Sequence, residues 1–208
     1  MRPAVFLRAE HLCIALLCAL GCGGPPAPHP SDSGSATQSN HATGLIDLDN
    51  QLFDPWQNNQ SDIVVAVFTR TDCPISNRYA PTIRRLDDKY RTQGVRIFLI
   101  YVDPSETADA IRAHLKEYDY RCPALRDPKH GLVAKCQATI TPEAVVFDKS
   151  QSIVYRGRID DTYLELGKPR SEPTTHDLHD AIESTLHGQP IKAPRTKAVG
   201  CRIDDLKD

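Results

Sequence analysis

The chain has 208 residues, 40% of them hydrophobic, and its 25 Lys and Arg nearly balance 27 Asp and Glu, for a net charge of −2. That balance implies no basic surface of the kind a nucleic-acid partner requires. The length suits one domain with a real core once a leader is set aside, and no uninterrupted apolar run reaches the roughly 18 residues of a spanning helix.

Residues 1–22 read as an export signal. Arg2 and Arg8 give a basic start, Leu12 to Leu20 an apolar core too short to span, and small residues follow. Ala19-Leu20-Gly21-Cys22 resembles a bacterial lipobox with Cys22 as the lipidated residue, although Ala19 stands where Leu is usual. Ordinary cleavage after a small residue is the alternative. Either way the remainder is expected to face an oxidising envelope compartment, with a membrane contact through the lipid if Cys22 carries one. Residues 23–43, rich in Gly, Pro, Ser, Asn and His, read as a flexible tether, and His29 and His41 as solvated parts of it. Residues 44–60 alternate weakly, as a hairpin or edge strand would, with Trp56 as a packing residue.

Ile63 to Phe68 is a run of β-branched and aromatic residues, the pattern of a buried strand. A polar turn, Thr69 to Asp72, leads to Cys73 and Pro74, and Pro is favoured at the first position of a helix. Ile75, Tyr79, Ile83, Leu86 and Tyr90 then repeat at spacings of four, four, three and four, one face of an amphipathic helix. Cys73 therefore sits where a strand meets a helix N-terminus, and the free N–H groups there favour a thiolate. Arg70 and Arg78 can add positive charge, which Asp72 opposes. A buried inert cysteine is the alternative.

Val95 to Val102 is a second continuous apolar run, suited to a parallel strand covered on both faces. Asp103-Pro104-Ser105-Glu106 predicts a capped helix start, with Ala108, Ile111, Leu115 and Tyr118 on its apolar face. The strand–helix–strand–helix order predicts a right-handed βαβ unit. A short helix is expected from Asp127-Pro128 to Lys135, with Cys136 on its apolar side. A closing hairpin is expected from Ala144–Phe147 and Ile153–Arg156. A last helix, capped by Thr174 or Thr175, should carry Leu178, Ile182 and Leu186 and stop at Gly188. Residues 189–208 read as a mobile tail bearing Cys201.

Several segments together resemble a known family. Cys73-Pro74-Ile75-Ser76 resembles the thioredoxin CxxC site with the second cysteine replaced by serine. Pro81 lies where thioredoxins kink this helix, and Thr141-Pro142 before AVVFD resembles their cis-proline loop. With YRGRIDD and AVGC, the chain resembles redoxins of the alkyl hydroperoxide reductase/thiol-specific antioxidant group, in particular bacterial envelope thioredoxin-family lipoproteins. The resemblance implies an α/β thioredoxin-like fold over residues 44–188, a central mixed sheet flanked by helices.

It also implies a thiol–disulfide oxidoreductase with Cys73 as nucleophile, acting on a disulfide-bearing protein or a small thiol or peroxide. Ser76 cannot resolve a mixed disulfide but can donate a hydrogen bond to the thiolate, and Thr141 and Pro142 would floor the site. Cys201 is the first choice of partner for Cys73, either in redox exchange or as a permanent staple. A staple closing so long a loop would stabilise by about 5 kcal/mol in the chain-entropy model. Cys122 is the second choice. Arg158 is either a cation near the thiolate or a solvated strand end.

Other readings on the same fold are a thiol peroxidase, a copper carrier and a non-catalytic binding lipoprotein. Peroxiredoxins place Thr three residues before the cysteine, where this chain has Arg70. A copper carrier needs a CxxxC pair, and Asn77 stands at its second position. With no CxxC or HxxxH pair, the sequence implies no zinc site and no cofactor.

Overall fold

The computed structural model describes residues 43–57 and 63–204. Residues 1–42, with Cys22, lie outside the described part, as do residues 58–62 and 205–208. The first apolar run forms β1 (Ile63–Thr69), all seven residues of which are buried. It can be buried on both faces because its two neighbours satisfy its backbone: β2 (Val95–Tyr101) pairs parallel, with Ile63 opposite Val95, and β5 (Glu143–Phe147) pairs antiparallel, with Phe68 opposite Glu143. With β3 (Ala124–Arg126) outside β2 and β6 (Ile153–Gly157) outside β5, the five-stranded sheet runs β3-β2-β1-β5-β6.

The period of two divides the core. Ile63, Val65 and Val67 meet one cluster, with Ile83, Leu86 and Tyr90 of α2 (Ala80–Tyr90) and Leu178, Ala181 and Ile182 of α5 (Asp177–Leu186). Val64, Ala66 and Phe68 meet the other, with Leu132, Val133 and Cys136 of α4 (Gly131–Cys136) and with the lead-in residues Leu45, Phe53 and Trp56. Trp56 packs edge-on against Phe147, ring centroids 5.1 Å apart, in keeping with its expected packing role. The lead-in forms isolated bridges, Ile46 to Leu52 and to Arg126, in place of a regular hairpin.

Four local expectations change. The helix after Cys73 is two helices, α1 (Pro74–Arg78) and α2, meeting at Tyr79. Pro81 in the first turn of α2 has no N–H to offer and crowds the preceding turn, so one ladder cannot run through. α3 (Ala108–Glu117) starts later than Asp103-Pro104 suggests, capped by Thr107, whose hydroxyl accepts from the Ala110 N–H at 3.2 Å. Asp103 instead closes a local turn on Ser105, and Glu106 bonds elsewhere. α4 starts at Gly131, a turn later than expected, because the carboxylate of the fully buried Asp127 accepts the N–H groups of Gly131, Leu132 and Val133 at 2.8, 2.9 and 2.8 Å. Thr174 and Thr175 do not cap α5 through its own backbone: both donate to Asp161, and His176 occupies the cap. A small hairpin, β7 (Tyr163–Glu165) and β8 (Lys168–Pro169), adds to the expected elements.

The largest departure is the tail. Beyond α5 the chain returns to the sheet: Arg156 N–H donates to Pro194 O at 2.9 Å, and Thr196 N–H donates to Arg156 O at 3.1 Å. A Cβ on Gly157 would fall 2.1 Å from the Thr196 hydroxyl and 2.5 Å from its carbonyl, so only glycine admits this approach. The tail ends as β9 (Cys201–Arg202), antiparallel to β4 (Ile140–Thr141), with Ile203 buried in the second cluster.

The YRGRIDD segment holds these parts together. Tyr155 donates to Arg158 O at 2.6 Å, Arg158 pairs with Asp177 at 2.8 Å, and Asp160 accepts from the Tyr79 hydroxyl at 2.8 Å. Arg158 is thus committed to α5 and is not a cation beside the thiolate. Burial acts to raise the Asp161 carboxyl, but the hydroxyl and N–H donors of Thr174 and Thr175, with Arg170, bring it down to about 2. Since its folded value lies below its unfolded one, its stabilisation is complete above about pH 4 and disappears as the pH falls through about 2. We predict that Asp161→Ala costs about 1–3 kcal/mol at neutral pH. Urea unfolding should show this gap to the parent narrowing steadily below pH 4.

Candidate functional site

β1 ends at Thr69 and delivers the polar turn 70–72, after which Cys73 occupies the N-cap of α1 in an extended conformation (φ −85°, ψ 108°). Pro74 follows at the first helical position, and the Cys73 carbonyl accepts the Asn77 N–H at 3.0 Å. Opposite lies the Thr141–Pro142 peptide, which is cis, as the resemblance implies. The Cys73 thiol donates to the Thr141 carbonyl at 3.2 Å.

The β4–β9 register sets Cys201 against Thr141, which brings the Cys201 thiol beside the Cys73 sulfur, close enough for each to influence the other's ionisation. The Thr141 hydroxyl donates to Cys201 O at 3.4 Å. This approach depends on Gly200: a Cβ there would lie 2.0 Å from the Thr141 carbonyl oxygen and 2.7 Å from its carbon, both backbone atoms that cannot step aside. Both cysteines are free thiols. Cys73 is 0% exposed, while Cys201 is half-buried.

The two thiols differ electrostatically. Burial pushes the Cys73 thiol up, but hydrogen bonds from Cys201, from the Ser76 hydroxyl and backbone, and from Thr141 outweigh it and hold the thiol below its ordinary value. The Ser76 hydroxyl is buried and has no hydrogen-bond partner while Cys73 is a thiol, so its proton is available to the sulfur when that ionises. Burial and the neighbouring Cys73 sulfur push the Cys201 thiol up to about 12. The cations foreseen for the thiolate are engaged elsewhere or exposed. Arg70 pairs with Asp72 at 3.1 Å and Asp103 at 2.9 Å, and Arg78 lies at the surface.

The turn before Cys73 is gripped from both sides. Thr71 N–H donates to Glu106 Oε1 at 2.6 Å, and Thr71 O accepts from Asn77 Nδ2 at 2.9 Å. The Asn77 side-chain oxygen meets His114 Nε2 at 2.8 Å, and His114 Nδ1 meets the Tyr101 hydroxyl at 2.8 Å. Tyr101 has a proton to give and His114 is held neutral by burial, so the chain of donors runs Tyr101 to His114 to Asn77 to Thr71. Neither Glu106 nor His114 carries a site signal in the sequence: Glu106 reads there only as part of a helix start, and the signal for His114 is its place three residues after Ile111, on the apolar face of α3.

Structure thus gathers Cys73, Ser76, Thr141, Pro142 and Cys201 at one place. Cys122 is not among them. It lies in the first core cluster, where burial pushes its thiol up to about 12, and this corrects its candidacy as the partner. Cys136 is in the second cluster, also pushed to about 12, as its expected core role demands. Among the described residues no group of three or more His, Cys, Asp or Glu could hold a metal ion.

A strand-to-helix cysteine facing a cis-proline loop, on a mixed sheet with helices on both faces, defines a thioredoxin-like protein. The redoxin family model matches residues 28–165, two thirds of the chain, and the protein belongs to the redoxin family. Among solved structures, a Sinorhizobium meliloti protein aligns with a TM-score of 0.69 at 24% identity, covering 79% of this chain and 91% of that one. A conserved Geobacillus kaustophilus protein gives 0.68 at 24%, covering 79% and 89%. A thioredoxin-like protein from Aeropyrum pernix gives 0.52 at 19%, covering 72% and 90%. At these identities the likeness is one of fold. The search of curated proteins finds no match. Cys201 lies beyond the residues that the family model matches.

Gly200→Ala should force β9 off Thr141. Overpacking of this kind costs about 1–3 kcal/mol, which raises the undocked population by a factor of roughly 5 to 140. Alkylation of Cys73 by iodoacetamide, followed by peptide mapping, should accelerate accordingly. Ser76→Ala should raise the Cys73 thiol pKa, read from thiolate absorbance at 240 nm.

Proposed function

We propose that this redoxin is a thiol–disulfide oxidoreductase in which Cys73 is the nucleophile and Cys201 the resolving cysteine. The observation that carries this reading is the meeting of the two sulfurs at Thr141–Pro142, with the Cys73 thiol shifted down and the Cys201 thiol shifted up. The Cys73 thiolate attacks a substrate disulfide R–S–S–R′. Cys73–S–S–R forms and R′S⁻ leaves, taking a proton from solvent. Cys201, losing its proton, then attacks the Cys73 sulfur. RS⁻ leaves, the Cys73–Cys201 disulfide forms, and an external thiol reduces it.

Each neighbour has a part in this sequence. Ser76 donates to the thiolate whenever Cys73 is ionised, and the thiolate leaves again in the regeneration step. The Glu106–Thr71–Asn77 grip holds the turn so that Cys73 keeps its place at the head of α1. Thr141 and Pro142 floor the site and orient Cys201.

The substrate class is a disulfide-bearing protein or a small disulfide. A peroxidase reading has less support, because Arg70 stands where peroxiredoxins place threonine and is tied to Asp72 and Asp103. The sequence of residues 1–43 supports an envelope location, with a leader-like start, a lipobox-like motif ending at Cys22 and a tether-like stretch ahead of the domain.

Thiol trapping and mass mapping of the mature protein across controlled potentials test this reading. A Cys73–Cys201 disulfide that opens within the biological range, roughly −180 to −320 mV, is the expected result. A bridge that yields only to harsh reductant would make it a staple and end the oxidoreductase reading. Cys73→Ser should abolish disulfide reduction. Cys201→Ser should leave a substrate adduct trapped on Cys73.

A further inference from the structure

The site is closed in a particular sense. Cys73 has no exposed surface: its sulfur faces the Thr141 carbonyl and the Cys201 thiol, and the docked tail lies across the loop. The tail is held at several points. Besides the β4–β9 pairing, Ile203 N–H donates to Thr139 O at 3.0 Å, Ala198 and Ile203 are buried, and Gly200 fits against Thr141 with no room to spare. Cys201 is half-buried beside the exposed Arg202, so it is the residue of the pair that solvent reaches.

We infer that, once the pair is oxidised, the reducing thiol enters at Cys201, so that the mixed disulfide with the electron donor forms in the C-terminal strand and not on Cys73. This deepens the oxidoreductase reading and rests on it. A thiolate must approach the attacked sulfur along the S–S axis, from the side opposite the leaving sulfur. Cys73 is fully buried, so a thiolate bound for its sulfur has to pass through packed protein, whereas the half-buried Cys201 has a side open to solvent.

The step balances as RS⁻ + Cys201–S–S–Cys73 → RS–S–Cys201 + Cys73–S⁻. A second thiolate then attacks the R sulfur, releasing RSSR and a Cys201 thiolate that takes up a proton. The donor is any small or protein thiol able to reach a half-buried tail cysteine. Leaving-group chemistry acts in the same direction, because the thiol with the lower pKa departs faster and that thiol is Cys73. Donor and acceptor consequently meet different sulfurs: the donor reacts at Cys201 with the tail docked, whereas a substrate disulfide reaches Cys73 when the tail is lifted.

The test uses the full mature chain, oxidised with diamide. It is mixed briefly with glutathione, quenched in acid, alkylated with iodoacetamide and mapped by mass spectrometry. At the earliest times glutathione should sit on Cys201 and the alkyl group on Cys73, with more than about a tenfold excess over the reverse arrangement. Gly200→Ala, which frees the strand, should reduce that excess. Glutathione on Cys73, or an even division in the parent protein, would overturn the inference while leaving the two-cysteine cycle in place. Failure of the Cys73–Cys201 bridge to form under diamide would overturn both.

Discussion

The site depends on one short pairing, β9 against β4. Two residues on each side place Cys201 opposite Thr141, whose carbonyl accepts from the Cys73 thiol. A strand this short cannot hold itself. The rest of the tail supplies the stability: backbone bonds to Arg156, the Thr196 hydroxyl between Tyr155 and Arg158, and burial of Ile203, which contributes on the order of 2 kcal/mol. Gly157 and Gly200 matter because each removes a Cβ where the tail touches backbone.

Around this pairing the protein immobilises the other half of the site from within. Thr71 has both its N–H and its carbonyl bound by side chains that belong to the α3 region and α1. The donors pass through His114, which is enclosed by Tyr101, Tyr118 and Tyr120 at centroid distances of 5.7, 4.7 and 5.9 Å. Burial keeps this imidazole neutral, and a neutral ring can take a proton from Tyr101 on one nitrogen while giving one to Asn77 from the other. The turn before the cysteine is therefore held by a chain of polar contacts in the interior, where each such bond is electrostatically stronger than in water, although the second carboxylate oxygen of Glu106 has no partner there.

The division between the two thiols follows from where their donors lie. Cys73 receives hydrogen bonds from several directions and stands at a helix start, which together more than offset its burial. Cys201 gains no such donors, and the sulfur beside it opposes its ionisation. One member of the pair ionises the more readily and is hidden; the other holds its proton more tightly and is half-buried.

Much of the fold is legible in the residues themselves. The two apolar runs, the cysteine and proline at the strand-to-helix junction, the Thr-Pro loop and the Gly188 stop are local signals, governed by periodicity and by backbone chemistry within a few residues. Where the sequence reading slipped, a distant partner had taken the local residue: Glu106 bonds Thr71 instead of helping to start a helix, Thr174 and Thr175 bond Asp161 instead of capping α5, and Arg158 answers Asp177 instead of a thiolate. The tail reads as mobile because its Pro and Lys residues carry no periodicity. What orders it are backbone bonds to β4 and β6, invisible until those strands are in place. The sequence by itself determined that Cys73 would stand exposed to helix-terminal donors, because that depends on its immediate neighbours. Only the tertiary structure decided that Cys201 rather than Cys122 would face it, because that choice depends on a strand register between segments 60 residues apart.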